Sequence, residues 1–114
     1  MTVNQLKKEL DLKVLAQGNA SSGGMDKEIN SCYISDLLSR VLGRSKAGDV
    51  WITVQTSKNM IAVAVMVEAA CVILPEWLTA PDDIVEIAES EGLPLFSSGE
   101  TAYELAVKIS ALLL

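Results

Sequence analysis

The chain predicts an α/β fold: a mostly parallel sheet of about five strands with helices packed on its faces, in a single compact domain. Three observations carry that expectation. Val50-Trp51-Ile52-Thr53-Val54 and Cys71-Val72-Ile73-Leu74 are short, near-continuous apolar runs, the pattern of strands covered on both faces. Strand-then-helix units begin near Val50, Cys71 and Leu93, at intervals of about 21 residues. Polar or Gly/Pro-bearing breaks separate the runs, at Gln55-Thr56-Ser57, at Pro75 and at Gly92. Apolar strands alternating with helices imply parallel pairing through right-handed crossovers.

Taken in order, the first element is a helix opened by Thr2-x-x-Gln5, a capping box in which each side chain satisfies a backbone N–H of the other. Val3, Leu6 and Leu10 share its inner face. A short strand follows over 13–16. Residues 18–24, Gly-Asn-Ala-Ser-Ser-Gly-Gly, read as a flexible loop. Gly18 and Gly23 have the spacing of a phosphate-binding loop, but Gly24 and Met25 stand where its Lys and Ser/Thr would contact phosphate and metal.

A second strand is expected over 28–34, then a helix over 36–42 with Ser35 as its cap and Gly43 as a left-handed terminator. Asp36 and Arg40 are four apart and can pair. Arg40, Arg44 and Lys46 gather at the helix's negative end, where cations need no ligand to explain them. Residues 46–49 turn into the organising strand over 50–54. There Val50, Ile52 and Val54 face one side and Trp51 the other.

The helix over 60–67 is apolar all round, so its outer sides call for cover by other helices or a second subunit. After the strand over 71–74, Pro81 suits the first turn of a helix over 81–91. Ile84, Ile87 and Ala88 form its buried stripe. Asp82, Asp83, Glu86, Glu89 and Glu91 make its other side acidic, which reads as a solvated face or as a dock for a basic partner. A last strand over 93–96 leads to Ser97-x-x-Glu100, a capping-box pattern for the final helix. On that helix Ala102, Leu105, Ala106, Ile109, Leu112 and Leu113 face the core, while Tyr103, Val107, Ala111 and Leu114 form a second apolar stripe. A second stripe reads as a self-association surface or as scattered surface apolarity.

Composition excludes several classes. A formal net charge of −6 argues against nucleic acid, whose affinity for proteins comes mainly from clustered Lys and Arg. Cys32 and Cys71 lie far apart, in no disulfide or zinc-site spacing, as expected of reduced thiols in a cytoplasmic protein. The longest apolar run, 60–74, is broken by Glu68 and is shorter than the ~18 residues of a membrane span, so no membrane partner is expected. With 0 His the chain lacks the commonest general base, and neither a catalytic set, a metal site nor a cofactor is read from it.

In a parallel sheet ligands bind outside the carboxyl ends of the strands, where helix starts present free N–H groups. The candidate ligand-binding residues are therefore Ser35 and Asp36, then Gln55, Thr56 and Ser57, then Glu76, then Ser97 and Ser98. Hydroxyls and amides at such places also serve as helix caps with no ligand present.

A family resemblance spans nearly the whole chain. It rests on Leu10-x-Leu12-x-Val14-Leu15, Asp26-Lys27-Glu28-Ile29, Tyr33-Ile34-Ser35-Asp36-Leu37-Leu38, Gly48-Asp49-x-Trp51-Ile52-Thr53, Gly92-x-Pro94-Leu95 and Ser97-x-x-Glu100-x-Ala102. In this order and spacing the chain resembles a stand-alone DRTGG domain, similar to the N-terminal domain of HPr kinase/phosphorylase and to the DRTGG region of phosphate acetyltransferases. Ser57-Lys58-Asn59 stands where the Asp-Arg of the eponymous motif belongs, and Leu74-Pro75-Glu76 where Thr-Gly-Gly belongs. The resemblance implies that residues 1–114 are one DRTGG-like α/β domain with a non-catalytic, regulatory and dimer-forming role. The expected function is a homodimeric module that binds a small metabolite or nucleotide and acts in trans on a separate metabolic enzyme. The alternative is a ligand-free adaptor docking on its partner enzyme.

Overall fold

The computed structural model describes residues 1–19 and 23–114. A five-stranded sheet runs through it in the order β1-β5-β4-β3-β2, formed by β1 (Lys13–Ala16), β2 (Ser31–Ile34), β3 (Asp49–Ile52), β4 (Cys71–Leu74) and β5 (Leu95–Ser97). Strands β2 to β5 are parallel and β1 closes one edge antiparallel to β5. Five helices cover it: α1 (Val3–Leu10), α2 (Leu38–Arg44), α3 (Lys58–Met66), α4 (Asp82–Ser90) and α5 (Ala102–Leu113). The expected α/β class holds.

Strand alternation divides the core into two layers. Trp51, Val72, Leu74 and Leu95 point to the side of α2, α3 and α4, where Val41, Met60, Ala64, Ile84 and Ala88 meet them. Val50, Ile52, Cys71, Ile73 and Phe96 point to the side of α1 and α5, against Leu6, Leu10, Leu105 and Ile109. Trp51 thus lies opposite its neighbours as the alternation requires, fully buried, with its Nε1 donating to the Ser35 carbonyl at 2.9 Å. Each fully buried Leu, Ile or Phe contributes about 2 kcal/mol relative to exposure.

Several element ends differ from the sequence expectation. The second strand starts at Ser31 rather than at 28, because Glu28 bridges to Thr2 and the Ile29 N–H donates to the Met1 carbonyl at 2.9 Å. Strand β3 ends at Ile52, two residues early, because Asp36 takes the Val54 N–H out of the ladder. Ser35 does not cap α2: the helix begins at Leu38 after Leu37, and the Ser35 hydroxyl accepts from the Leu37 N–H at 3.2 Å. Gly43 lies inside α2 without a left-handed backbone, and the helix ends at Ser45 with φ −70.

Pro81 is the residue before α4 rather than part of its first turn. Ser97 is the last residue of β5 and not the cap of α5. Thr101 is, completing a capping box with Glu104. The first capping box, Thr2 with Gln5, forms as expected. Of the loop over 18–24, Gly18 and Gly24 are buried, and Gly18, at φ +68, packs on the Gly92 backbone so tightly that a Cβ would meet it at 2.7 Å. Its residues 20–22 lie outside the described residues.

Candidate functional site

The parallel order β2-β3-β4-β5 advances across the sheet in one direction, and α2, α3 and α4 accordingly share one face. After β5 the chain turns to the opposite face to form α5. The segments leaving β4 and β5 at their carboxyl ends therefore diverge to opposite faces, the topology at which open α/β sheets hold ligands.

All eight candidate residues sit at the carboxyl ends of the parallel strands, in two groups. The first surrounds β2 and β3. Asp36 Oδ1 accepts from Thr53 Oγ1 at 3.1 Å and from the Val54 N–H at 2.9 Å, and the Asp36 carbonyl accepts from Gln55 Nε2 at 2.8 Å. Ser57 caps α3 by accepting the Met60 N–H at 3.3 Å. Thr56 makes no side-chain hydrogen bond among the described residues. Asp36 is thus held by the end of β3 and not by Arg40; the ion pairs among the described residues are Met1 with Glu28 and Lys108 with Glu100.

The second group occupies the diverging seam. Ser97 Oγ donates to the Leu78 carbonyl at 2.6 Å, and Ser98 Oγ accepts from the Glu100 N–H at 3.1 Å. The Glu76 and Trp77 N–H groups donate to the carbonyls of Glu100 and Ser98 at 2.9 and 2.7 Å, so the loops after β4 and β5 are stitched together. Glu76 and Trp77 both hold left-handed backbones, φ 57 and 58, a conformation that costs about 1–3 kcal/mol for each non-glycine residue.

Three further residues meet at the seam, of which Glu100 was read from the sequence as a capping-box partner and Trp77 was not singled out. The Trp77 indole lies over Gly99, where an added Cβ would stand 2.6 Å from Nε1, yet Trp77 remains 60% exposed. Glu100 gives one carboxylate oxygen to Lys108 and keeps the other, Oε2, buried without a partner among the described residues. A tryptophan in a short post-strand loop followed by a Ser-Ser-Gly return is the pattern that could have drawn attention to them.

The eight candidates lie at the carboxyl ends, and a concavity opens at the other end of the sheet. A pocket of about 410 Å³ lies at the amino ends of the strands, among Lys27, Asn30, Gly48, Glu68, Glu91 and Leu93. There Lys27 Nζ donates to the Gly92 carbonyl at 2.8 Å, and burial holds its ammonium below the ordinary lysine value. Cys32 and Cys71 are free thiols; burial first, and the Asp49 charge second, push Cys32 up to about 11, and burial raises Cys71 further. No group of three or more His, Cys, Asp or Glu able to hold a metal occurs among the described residues. No described helix is long and apolar enough to cross a membrane.

Comparison with known proteins finds no matching family model and no matching curated protein. Among solved structures, the chain is similar to the CBS and DRTGG domains of the regulatory region of Clostridium perfringens pyrophosphatase, crystallised with its activator diadenosine tetraphosphate. The likeness is one of fold. The TM-score is 0.70 at 10% sequence identity, covering 95% of this chain and 45% of that one.

Proposed function

We propose that this chain is a non-catalytic DRTGG-like regulatory module of the cytoplasm, homodimeric, that binds a small metabolite or nucleotide and acts in trans on a metabolic enzyme. The observation that carries the reading is the seam between β4 and β5. There diverging loops, two successive left-handed residues and an exposed indole meet. Backbone strain of this kind clusters at ligand clamps and active sites. The similar fold of the pyrophosphatase regulatory region, bound to a nucleotide activator, supports the same class of role.

The chemistry of the seam indicates which part of a ligand it takes. Glu76 and Glu100 bring negative charge, so a bare phosphate is disfavoured there. A flat ring stacked on the exposed indole of Trp77 fits the groups present. The base of a nucleotide meets that description.

The adaptor reading has its own support. The hydroxyls of Ser97 and Ser98 and the carboxylate of Asp36 are already hydrogen-bonded within the chain. A thermal-unfolding screen against nucleotides, acyl phosphates and organic acids separates the two. Ligand at 100 times its dissociation constant adds about 2.7 kcal/mol, several degrees for a domain of this size. A specific hit is expected; a flat screen favours the adaptor.

A further inference from the structure

The seam between α3 and α4 is furrowed. A pocket of about 300 Å³ lies between the two helices, lined by Lys58, Ile61, Ala62, Val65, Ile87 and Glu91. It shares Val65 and Glu91 with the pocket of about 410 Å³ at the amino ends of the strands, so the two form one groove along the helix pair. Beside it Val65 is 40% and Met66 69% exposed. The all-apolar helix anticipated from the sequence therefore buries Met60, Ile61, Val63 and Ala64 and leaves its outer side uncovered.

Carboxylates outnumber cations along the groove. Glu28, Glu68 and Glu91 line it against Lys58 and Lys27, whose Nζ is taken up by the Gly92 carbonyl, and Asp82, Asp83 and Glu86 lie exposed along α4. Glu89 is the exception, since its carboxylate accepts the N–H groups of Gln17 and Asn19 at 3.0 and 2.5 Å. A carboxylate face that serves only solubility requires no apolar trough beside it. Here charge and trough run together, the combination that amphipathic helices recognise.

Charge also selects the occupant. A second copy of this chain, at −6, would set carboxylates against the carboxylates of α4. Anionic lipid surfaces and nucleotides are repelled in the same way. We infer that the α3–α4 groove docks a basic amphipathic helix of a partner protein. Its apolar residues, spaced three and four apart, enter the trough between Val65 and Ile87, and its Lys and Arg residues meet Glu91, Glu68 and the acids of α4.

The inference deepens the in-trans part of the proposed function and is independent of the ligand seam. The test uses a synthetic helical peptide of Leu and Lys at helical spacing, titrated into the isotope-labelled full chain and followed by amide NMR. Shifts are expected to concentrate at Ala62, Val65, Met66, Ile87 and Glu91. Val65→Glu and, separately, Glu91→Lys are each expected to weaken binding about tenfold or more, whereas Glu9→Lys, exposed on α1, is expected to leave it unchanged. Both substituted groove positions reach solvent, so each variant can remain folded. Absence of binding, shifts spread evenly over the acidic surface, or an affinity indifferent to Val65→Glu overturns the inference. A failed peptide titration leaves the ligand seam standing, and a flat ligand screen leaves the groove standing.

Discussion

The indole of Trp77 lies against Gly99 with no room for a methyl group between them: a Cβ at position 99 would stand 2.6 to 2.9 Å from three ring atoms. That contact closes the seam between the β4 and β5 loops, and it is closed by a side chain that is itself mostly exposed. A mostly exposed ring can swing aside, whereas the carbonyls beneath it are fixed by β5.

Gly99→Ala is therefore expected to expel the indole rather than unfold the domain. The cost is about 1 kcal/mol, the low end for overpacking, because the ring can yield to solvent. Acrylamide quenching checks it. Emission from Trp77 becomes more accessible while buried Trp51 stays protected; unchanged quenching means that the ring does not rest on Gly99.

Asp36→Ala removes the acceptor shared by Thr53 Oγ1 and the Val54 N–H. Thr53 is only 2% exposed, so its hydroxyl loses a partner that water cannot readily replace. A loss of about 1–3 kcal/mol in chemical denaturation is expected, and less for Asp36→Asn, which keeps an acceptor oxygen.

Thr101→Ala removes the cap of α5 and is expected to cost about 1 kcal/mol, read by denaturation and by faster amide exchange in the first turn of α5. The same box carries a pH dependence. Hydrogen bonds from the Thr101 N–H first, and from the Thr101 hydroxyl second, hold the Glu104 carboxyl below the usual glutamate range. A depressed folded-state pKa means that its contribution is present above about pH 4.3 and is lost as pH falls through the folded value. Carbon NMR titration of Glu104 in both proteins checks the sign: the variant moves back toward the ordinary glutamate value.

The second stripe of α5 is exposed at Tyr103, Val107, Ala111 and Leu114. If it forms the homodimer of the proposed function, Val107→Glu gives a monomer with the fold intact, measured by light scattering. A wild-type chain that scatters as a monomer at high concentration removes this part of the reading.

How much of this was legible in the sequence depended on how local the cause was. The apolar runs of β3 and β4, the opposite facing of Trp51 and the Thr2–Gln5 box follow from neighbouring residues, and each is present. Ser35 and Asp36 looked like a helix start because both residue types cap helices. Their partners, however, lie 16 to 18 positions away at Trp51, Thr53 and Val54, beyond any local pattern. Ser97-x-x-Glu100 and Thr101-x-x-Glu104 are equally good capping boxes as strings. The choice between them was made by β4, whose Leu74 holds Ser97 in the sheet. The antiparallel edge of β1 on β5 is a pairing across the whole chain, which no periodicity records. At the site, the eight candidates were placed at the carboxyl ends of the strands by topology. The contact of Trp77 with Gly99 and the bond from the Glu76 N–H to the Glu100 carbonyl arise only where the two loops meet.

The central claim, a small ligand held at the β4–β5 seam, is tested most directly by the two indole N–H resonances of the isotope-labelled chain. Trp51 donates to Ser35 inside the core and serves as the internal control, while Trp77 reports on the seam. Nucleotides, acyl phosphates and organic acids are titrated in turn at millimolar concentration. The account predicts that one of them shifts the Trp77 resonance saturably, together with the Ser98 and Glu100 amides, and leaves Trp51 in place. A ligand that stabilises the fold while moving only the amides around Lys27 and Glu68, with Trp77 unmoved, would contradict it and assign binding to the amino ends of the strands.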